Sequence, residues 1–312
     1  MSYSGVAKLG GSGVDLHSGS ELVQDGKGHG VIDCERCGFA HLWPKPTGEE
    51  LAEYYARSFY ETHTPKDWAE KEKAEQPYWE IEFGDRLAAF GEILGSASGR
   101  LLDVGCGGGW LLAYAQARNW QVLGIEPSHS MWEQAARRAP VLLGTFPGVD
   151  VSSHGPFDAV HLKLVMEHVT DPFAVLRAAG EVLRPGGVIV VQVPNDFNAL
   201  QLAAKKLLNK EAWWVVHPVH VNYFNFESME GTLRRCGLEP CRREGTFPME
   251  TFLLQGVDYI GQDAVGRQCH AQRMALEMNL EKAGLTKVRR EYGRWLGSQG
   301  IGREAVVFAV KQ

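Results

Sequence analysis

From residue 100 onward the chain alternates short apolar runs with segments whose apolar residues recur at helical spacing. The runs 100–104, 120–125, 140–143, 157–163 and 187–193 predict strands, and 109–118, 129–138, 172–183 and 198–208 predict the helices between or after them. Strand–helix alternation at this spacing means a doubly wound α/β fold, a parallel sheet with right-handed crossovers. A helix over 227–236 leads into a strand over 239–246, and Ala-Val-Val-Phe-Ala-Val within 304–311 supplies a last strand. Residues 247–302 separate these two strands, about ten times a usual hairpin loop. With a long helical stretch over 264–298, they read as a cap inserted over the ligand mouth, or alternatively as a dimerisation element that would make the chain a homodimer.

Upstream, residues 1–28 are rich in Gly and Ser, lack an apolar signal core and are expected to be a flexible tail. Residues 29–60 form a small unit in which Thr47 and Glu50 make a capping box, opening a helix from Glu49 to Arg57 that presents Leu51, Tyr54 and Tyr55. Residues 61–97 are charged, then amphipathic, and predict a helical connector or lid covering the edge of the main sheet. The core is then 98–246 with 303–312.

Where the first core strand ends, Leu101-Leu102-Asp103-Val104 runs into Gly105-Cys106-Gly107-Gly108-Gly109 and the helix opener Trp110. A strand, a tight glycine turn and a helix start bring backbone amides close to a small polar ligand. A dinucleotide fingerprint would want glycine three positions after Gly107, where Trp110 stands, and the Asp103 charge would repel a pyrophosphate. The same carboxylate suits a ligand carrying an ammonium and a sulfonium. Glu126-Pro127, closing the next strand, can accept both ribose hydroxyls. S-adenosylmethionine (SAM) meets these requirements, whereas a glycine-rich hairpin turn does not fit the helix-period segment that follows.

The stretch from Arg100 to about Gln312 resembles the class I SAM-dependent methyltransferases. The resemblance rests on Leu102 to Gly109, Gly124-Ile125-Glu126-Pro127, Val165-Met166-Glu167-His168-Val169 and Leu183-Arg184-Pro185-Gly186-Gly187. It implies a Rossmann-like, mainly parallel sheet with an antiparallel last strand, and SAM held around Asp103, Gly105, Cys106, Gly107, Trp110, Glu126 and Pro127. It also implies that Lys163 and Leu164 line the adenosine and methionine and that His168 lies near the methionine end, with a turn-capping role as the alternative for His168 and the preferred one for Glu167. Thr145 and Phe146 are expected to flank the adenine. In proteins of this type the segment before the core closes over the methionine, which makes Tyr78, Trp79 and Arg86 candidates, Arg86 for its carboxylate. Packing of Trp79 on the sheet is the alternative.

Cys34-x-x-Cys37-Gly38 has zinc-knuckle spacing. The following Phe39-Ala40-His41-Leu42-Trp43-Pro44 cannot open a helix at Cys37, which removes a thioredoxin-like redox reading. With one cysteine pair, His29 and His41 complete a four-ligand set for structural Zn2+, and His17, in the glycine-rich tail, is the poorer candidate. The resemblance reaches this segment too, although two cysteine pairs are usual there. A metal-free turn with reduced thiols is the alternative. Six cysteines without a framework spacing point to a reducing, cytoplasmic setting.

The loop Trp213-Trp214-Val215-Val216-His217-Pro218-Val219-His220-Val221-Asn222-Tyr223-Phe224 follows the strand over 187–193 and can build an apolar pocket with a few polar handles. His220 first and His217 second are the candidate general bases, with Trp213, Trp214, Asn222 and Tyr223 as substrate contacts. The alternative has both histidines bonding the loop. Asp258, Tyr259, Asp263, Arg267, His270 and Arg273 are further candidates to reach the acceptor, while Lys287, Arg289 and Arg290 read as a solvated helix face and Gly300 and Gly302 as a close backbone approach.

Composition narrows the partner. In 312 residues, 44% hydrophobic and 22% charged, a net charge of −6 argues against a non-specific nucleic-acid binder, and no apolar run is long enough to span a membrane. The sequence therefore reads as a cytoplasmic SAM-dependent methyltransferase acting on a small-molecule substrate, at a hydroxyl oxygen. A zinc-knuckle nucleic-acid methyltransferase, a non-catalytic SAM-binding protein and an NAD-dependent oxidoreductase are the rivals.

Overall fold

The strands of the core carry apolar side chains on both faces, as burial between two helical layers requires. The computed structural model describes residues 17–24, 30–48, 50 and 65–312, with backbone alone over 65–72. In chain order its elements are β1 (Gly19–Gln24), β2 (Gly30–Cys34), β3 (Phe39–Trp43), α1 (Pro65–Leu94), β4 (Arg100–Val104), α2 (Trp110–Gln116), β5 (Gln121–Glu126), α3 (His129–Ala136), β6 (Val141–Leu143) and β7 (Phe157–Lys163). There follow α4 (Pro172–Val182), β8 (Leu183–Pro194), α5 (Ala199–Leu208), β9 (Asn222–Tyr223), α6 (Phe226–Arg235), β10 (Leu238–Gly245), α7 (Glu250–Leu254), α8 (Asp263–Lys282), α9 (Thr286–Ser298) and β11 (Glu304–Lys311).

The main sheet has seven strands in the order β10-β11-β8-β7-β4-β5-β6. β6, β5, β4, β7 and β8 are parallel, and β11 runs antiparallel between β8 and β10. Chain order reverses beside β4, so a crevice opens beyond the carboxyl ends of β4 and β7, where ligands of such sheets bind. Alternate residues of β8 serve the two layers: Ile189 and Val191 face α4 and α6, while Val188 and Val190 face α1 and α2. Helix starts are fixed locally. Asp171 caps α4 by accepting from Ala174 N at 3.0 Å, with Pro172 in its first turn. Asn225 and Ser228 form a reciprocal capping box on α6.

Two regions differ from the sequence reading, and a third is described only at its start. Residues 19–24, assigned to the tail, form an edge strand of a second sheet, β1-β2-β3-β9. That sheet takes its fourth strand from far along the chain, with Ala40 opposite Tyr223 and His41 opposite Asn222. The connector is one helix, α1, and it lies across a sheet face rather than an edge, burying Leu87, Ala89 and Phe90 against Val188, Val190 and Phe308. The capping box at Thr47 and Glu50 is present, with Thr47 N donating to Glu50 at 2.7 Å, while the helix expected to follow, with Leu51, Tyr54 and Tyr55, lies outside the described residues.

The insertion divides in two. α7 packs near α5 at the carboxyl end of β8, and Lys210 reaches Asp258 at 2.6 Å. The expected single helix over 264–298 is broken at Gly284, whose φ of 72° is a helix-ending conformation, and the resulting α8 and α9 pack on α1 and β10. The seam is ionic. Arg289, expected on a solvated face, is 7% exposed and grips Asp85 of α1 with both terminal nitrogens and Glu281 at 3.1 Å, while Arg290 joins Asp85 at 2.7 Å. Lys287 alone of the three is solvated. Leucine at position 289 is expected to cost about 3 kcal/mol in a urea titration, because the half-buried Asp85 and Glu281 carboxylates lose the partner they share. A loss under a third of that would show the seam to be a surface pair.

Candidate active site at the carboxyl ends of the parallel strands

Gly105, Gly107 and Gly109 all have positive φ (71°, 52° and 76°), which glycine alone adopts without strain. The turn is pinned to the neighbouring strand: Gly105 N and Cys106 N donate to Ile125 O at 2.8 and 3.1 Å. Glu126 finishes the job, accepting from Gly107 N at 2.8 Å through one carboxylate oxygen and from Ser128 N at 2.9 Å through the other, with Pro127 between. Burial pushes the Glu126 carboxyl up against these two N–H groups. Asp103 is buried and bonded at 2.7 Å to His161 of β7, a partner 58 residues away that the sequence reading missed. Burial and then the Asp103 charge push the Cys106 thiol up, so it stays protonated. Trp110 carries the Arg138 guanidinium 3.9 Å from its ring centre, and Arg138 also bonds Gly108 O at 2.8 Å.

A cofactor such as SAM fits this turn. A Cβ on Gly107 would meet nothing closer than Met131 at 3.9 Å, so the backbone there is open to a ligand, whereas a Cβ on Gly105 would strike Val165 at 2.7 Å. Around the turn, Leu164 turns back with φ of 54° and leaves its side chain 39% exposed at the crevice. Thr145 is exposed and Phe146 half-buried, just beyond β6. Lys163 is committed to Glu82 of α1 at 2.6 Å. Although burial alone would raise it, the Lys163 and Arg86 charges hold the Glu82 carboxyl down at about 2. Arg86 is buried over Phe308 and donates to Gln192 at 2.7 Å. Tyr78 is buried too, its hydroxyl accepting from Arg273 of α8 at 2.9 Å, and Trp79 is half-buried. These four side chains therefore line the α1 side of the sheet. Of the other insertion candidates, Asp263 and Arg267 are exposed, and His270 pairs with Glu75 at 3.3 Å.

The aromatic–histidine loop is clasped to the segment after β7. Val221 N and Asn222 N both donate to Glu167 O, at 2.7 and 3.1 Å, and the Asn222 side chain donates to Met166 O and Val169 O at 2.9 and 2.7 Å. Asn222 is thus a brace for the loop. His168 Nδ1 meets Val219 O at 3.0 Å and its ring stands edge-on to His220 at 5.1 Å. Burial, then the neighbouring His168, lowers His220 to about 4, so it is a neutral imidazole at pH 7, and its Nδ1 has no hydrogen-bond partner. His217 is exposed at the far side of the loop. Trp213 packs edge-on against Trp214 (4.9 Å), which meets Phe197 (5.4 Å), and Tyr223 is buried beside them.

Behind this loop stands a group that sequence reasoning passed over. Asp196, Gln201 and Glu250 come from the end of β8, the first turn of α5 and the start of α7, and all are buried. Gly300 and Gly302 do make the close approach expected of them: Asn195 Nδ2 donates to both carbonyls at 3.0 and 3.1 Å.

In the small sheet, His17, Cys34, Cys37 and His41 bring one ligand atom each to within 4.8 Å of one another. His17 Nδ1 lies 3.4 Å from both sulfurs and 3.1 Å from His41 Nε2. His41 Nδ1 is bonded to Leu42 O at 2.7 Å, which leaves Nε2 to face the cluster, the tautomer a metal-binding imidazole needs. Two thiols and two imidazoles at this spacing suit tetrahedral zinc. The fourth position is filled by His17, the candidate ranked lower from the sequence, while His29 lies outside the described residues.

Comparison with known proteins identifies the family. The profile of the methyltransferase-domain family matches residues 75–242. An uncharacterized 37.1 kDa protein in transposon TN4556 of Streptomyces fradiae is 37% identical over 113 residues, 32% of this chain and 31% of that protein. The ubiquinone biosynthesis O-methyltransferase of Caulobacter sp. (strain K31) is 38% identical over 113 residues, 33% of this chain and 44% of its own length. The chain thus spans under half the length of these two curated relatives. A SAM-dependent methyltransferase of Thermotoga maritima superposes with a TM-score of 0.46 at 18% identity, over 84% of this chain and all of that one.

Proposed function

We propose, from the premise that this chain belongs to the methyltransferase-domain family, that it transfers the methyl group of SAM to a hydroxyl oxygen of a small molecule. The observation that carries this reading is the Glu126 carboxylate tying the Gly105–Gly109 turn to β5, at the crevice of a parallel sheet, with a neutral histidine on the loop bonded to the segment after β7. When bound, SAM supplies an activated methyl on a sulfonium whose leaving group needs no proton. Glu126 would hold the ribose hydroxyls, Asp103 the charged amino-acid end, and Gly105, Cys106 and Gly107 the backbone wall. Lys163, being paired with Glu82, contributes its stem to the wall rather than its charge. The name of the Caulobacter relative supports oxygen as the acceptor atom.

His220 takes the acceptor's proton. The oxygen becomes strongly acidic as the carbon–oxygen bond forms, so an imidazole of pKa about 4 is base enough if the proton moves late. His220→Gln is expected to lower kcat at least tenfold with SAM affinity unchanged; a kcat within threefold of wild type would reject the role. Because the folded-state pKa lies below the ordinary 6.5, the ring stays neutral down to about pH 4. The His220-dependent acid limb of kcat/KM is therefore expected near pH 4, and an imidazole limb at pH 6.5 or above would contradict the assignment.

The His17, Cys34, Cys37 and His41 cluster is read as a structural zinc site, supported by its donor set of four and the His41 tautomer.

A further inference from the structure

We infer that the acceptor is a polyhydroxylated small molecule, received by Asp196, Gln201 and Glu250 with Trp214. The inference deepens the methyl-transfer reading and rests on it. Each of the four is more than nine-tenths buried, at 2, 5, 3 and 7% exposure. Each also holds a buried polar atom without a hydrogen bond: Asp196 Oδ2, Gln201 Oε1, Glu250 Oε2 and Trp214 Nε1. A group serving the fold alone would be paired, because an unmet buried donor or acceptor costs about 1–3 kcal/mol. Gln201 bonds both Asp196 and Glu250 and draws the three into one group, yet each keeps one polar atom unmet, as does Trp214, which Phe197 joins to the segment after β8; that remainder is what a ligand would satisfy.

Their position fits the chemistry. Asp196 N donates to Phe224 O at 2.7 Å, fixing this residue to the end of the His220 loop, and Phe197 touches both Trp214 (5.4 Å) and Tyr223 (6.1 Å). The group therefore sits at the end of the loop that carries the proposed base. Its atoms also define the ligand. Three acceptors call for donors, and the Trp214 N–H calls for an acceptor, a mixture that adjacent hydroxyls supply from one carbon skeleton. The facing titratable groups are Glu167, whose carboxylate raises no attraction for Asp196, Tyr223, and Tyr259 and Arg303 beside Glu250; the nearest cation, Arg303, is half-exposed. Burial pushes both carboxyls up, Asp196 well above its ordinary range, with the Gln201 side chain opposing. A hydroxyl can donate to a carboxyl oxygen in either protonation state, and a cationic amine is the competing ligand class.

The test uses the full chain saturated with S-adenosylhomocysteine, with methyl α-D-glucopyranoside and cyclohexylmethylamine as probes in saturation-transfer NMR. Signal from the glucoside ring protons is expected, with Kd weakened about tenfold in Gln201→Leu and less than threefold in Glu250→Gln, which keeps the size and polarity of the side chain. Glu250→Gln, which can still accept from the Gln201 side chain, is expected to unfold at the wild-type temperature, whereas Gln201→Leu also loses its bonds to Asp196 and Glu250 and is compared at a temperature where circular dichroism shows it folded. Transfer to the amine alone, no transfer to the glucoside, or a fall in unfolding temperature with unchanged glucoside binding would overturn the inference. Calorimetry with S-adenosylhomocysteine separates the two levels: if that ligand does not bind, it is the methyl-transfer reading that fails.

Discussion

Replacing Glu126 with alanine is expected to weaken S-adenosylhomocysteine binding about a hundredfold in a calorimetric titration, while the sheet remains folded. The carboxylate does two things at once. It accepts from Gly107 N and Ser128 N, at 2.8 and 2.9 Å, and so holds the glycine turn in its positive-φ shape. On the reading proposed above, its remaining lone pairs would receive the ribose hydroxyls. Hydrogen bonds to a charged group contribute about 1.5–3 kcal/mol each, and losing about 3 kcal/mol of them is roughly two decades in Kd. Glu126→Gln should fall between, because its amide can accept one of the two N–H groups but turns a donor toward the other. A Kd within threefold of wild type for the alanine variant would remove Glu126 from the cofactor site and with it the main support for the reaction proposed.

Cys34→Ala is expected to take the bound zinc from about one equivalent to less than a tenth, measured by elemental analysis. Cys34 is fully buried, and its sulfur sits 3.4 Å from His17 Nδ1. Structural zinc is worth about 10–16 kcal/mol in isolated finger peptides. The loss here should be smaller, since Phe39 and Ile32 remain anchored in the main core, but several kcal/mol of the small sheet's stability should go. Amide exchange over 39–43 and 221–223 should rise, while 100–126 stays protected. Metal content unchanged in the variant, or absent from the wild type, would return the cluster to a metal-free turn.

The core was legible because its information is local. Apolar runs of period two and helical segments of period 3.6 lie next to one another, and the observed β4, β7 and β11 span the residues expected of them. What escaped is what distant segments make together. Asp103 meets His161 across 58 residues, and nothing near either predicts it. Asp196, Gln201 and Glu250 are unremarkable as polar residues until the chain folds them into one buried group. His17 was discounted for its glycine-rich surroundings, although β1, which follows it, is what carries it to the cysteines. Arg289 has a solvated residue's sequence context, and only α1 on the other side of the seam explains its burial. Asn222, read from the sequence as a ligand contact, also has a bracing role that only the fold reveals, its amide nitrogen spanning two backbone carbonyls.

The pairing of β3 with β9 has a bearing on how such a chain can be recombined. Leu42 N donates to Val221 O at 2.8 Å, one residue past His220, and Arg235 of α6 bonds the carbonyl of Cys37. A chimera that exchanged residues 17–48 with those of a relative would therefore place a foreign strand against the loop that carries His220. The natural crossover units are the cysteine–histidine element and residues 213–235 exchanged as a pair. A library shuffled in that way should keep more active members than one that swaps either piece alone. By the same seam, a substitution at Ala40 or Leu42 would reach the loop that carries His220 through the strand pairing alone.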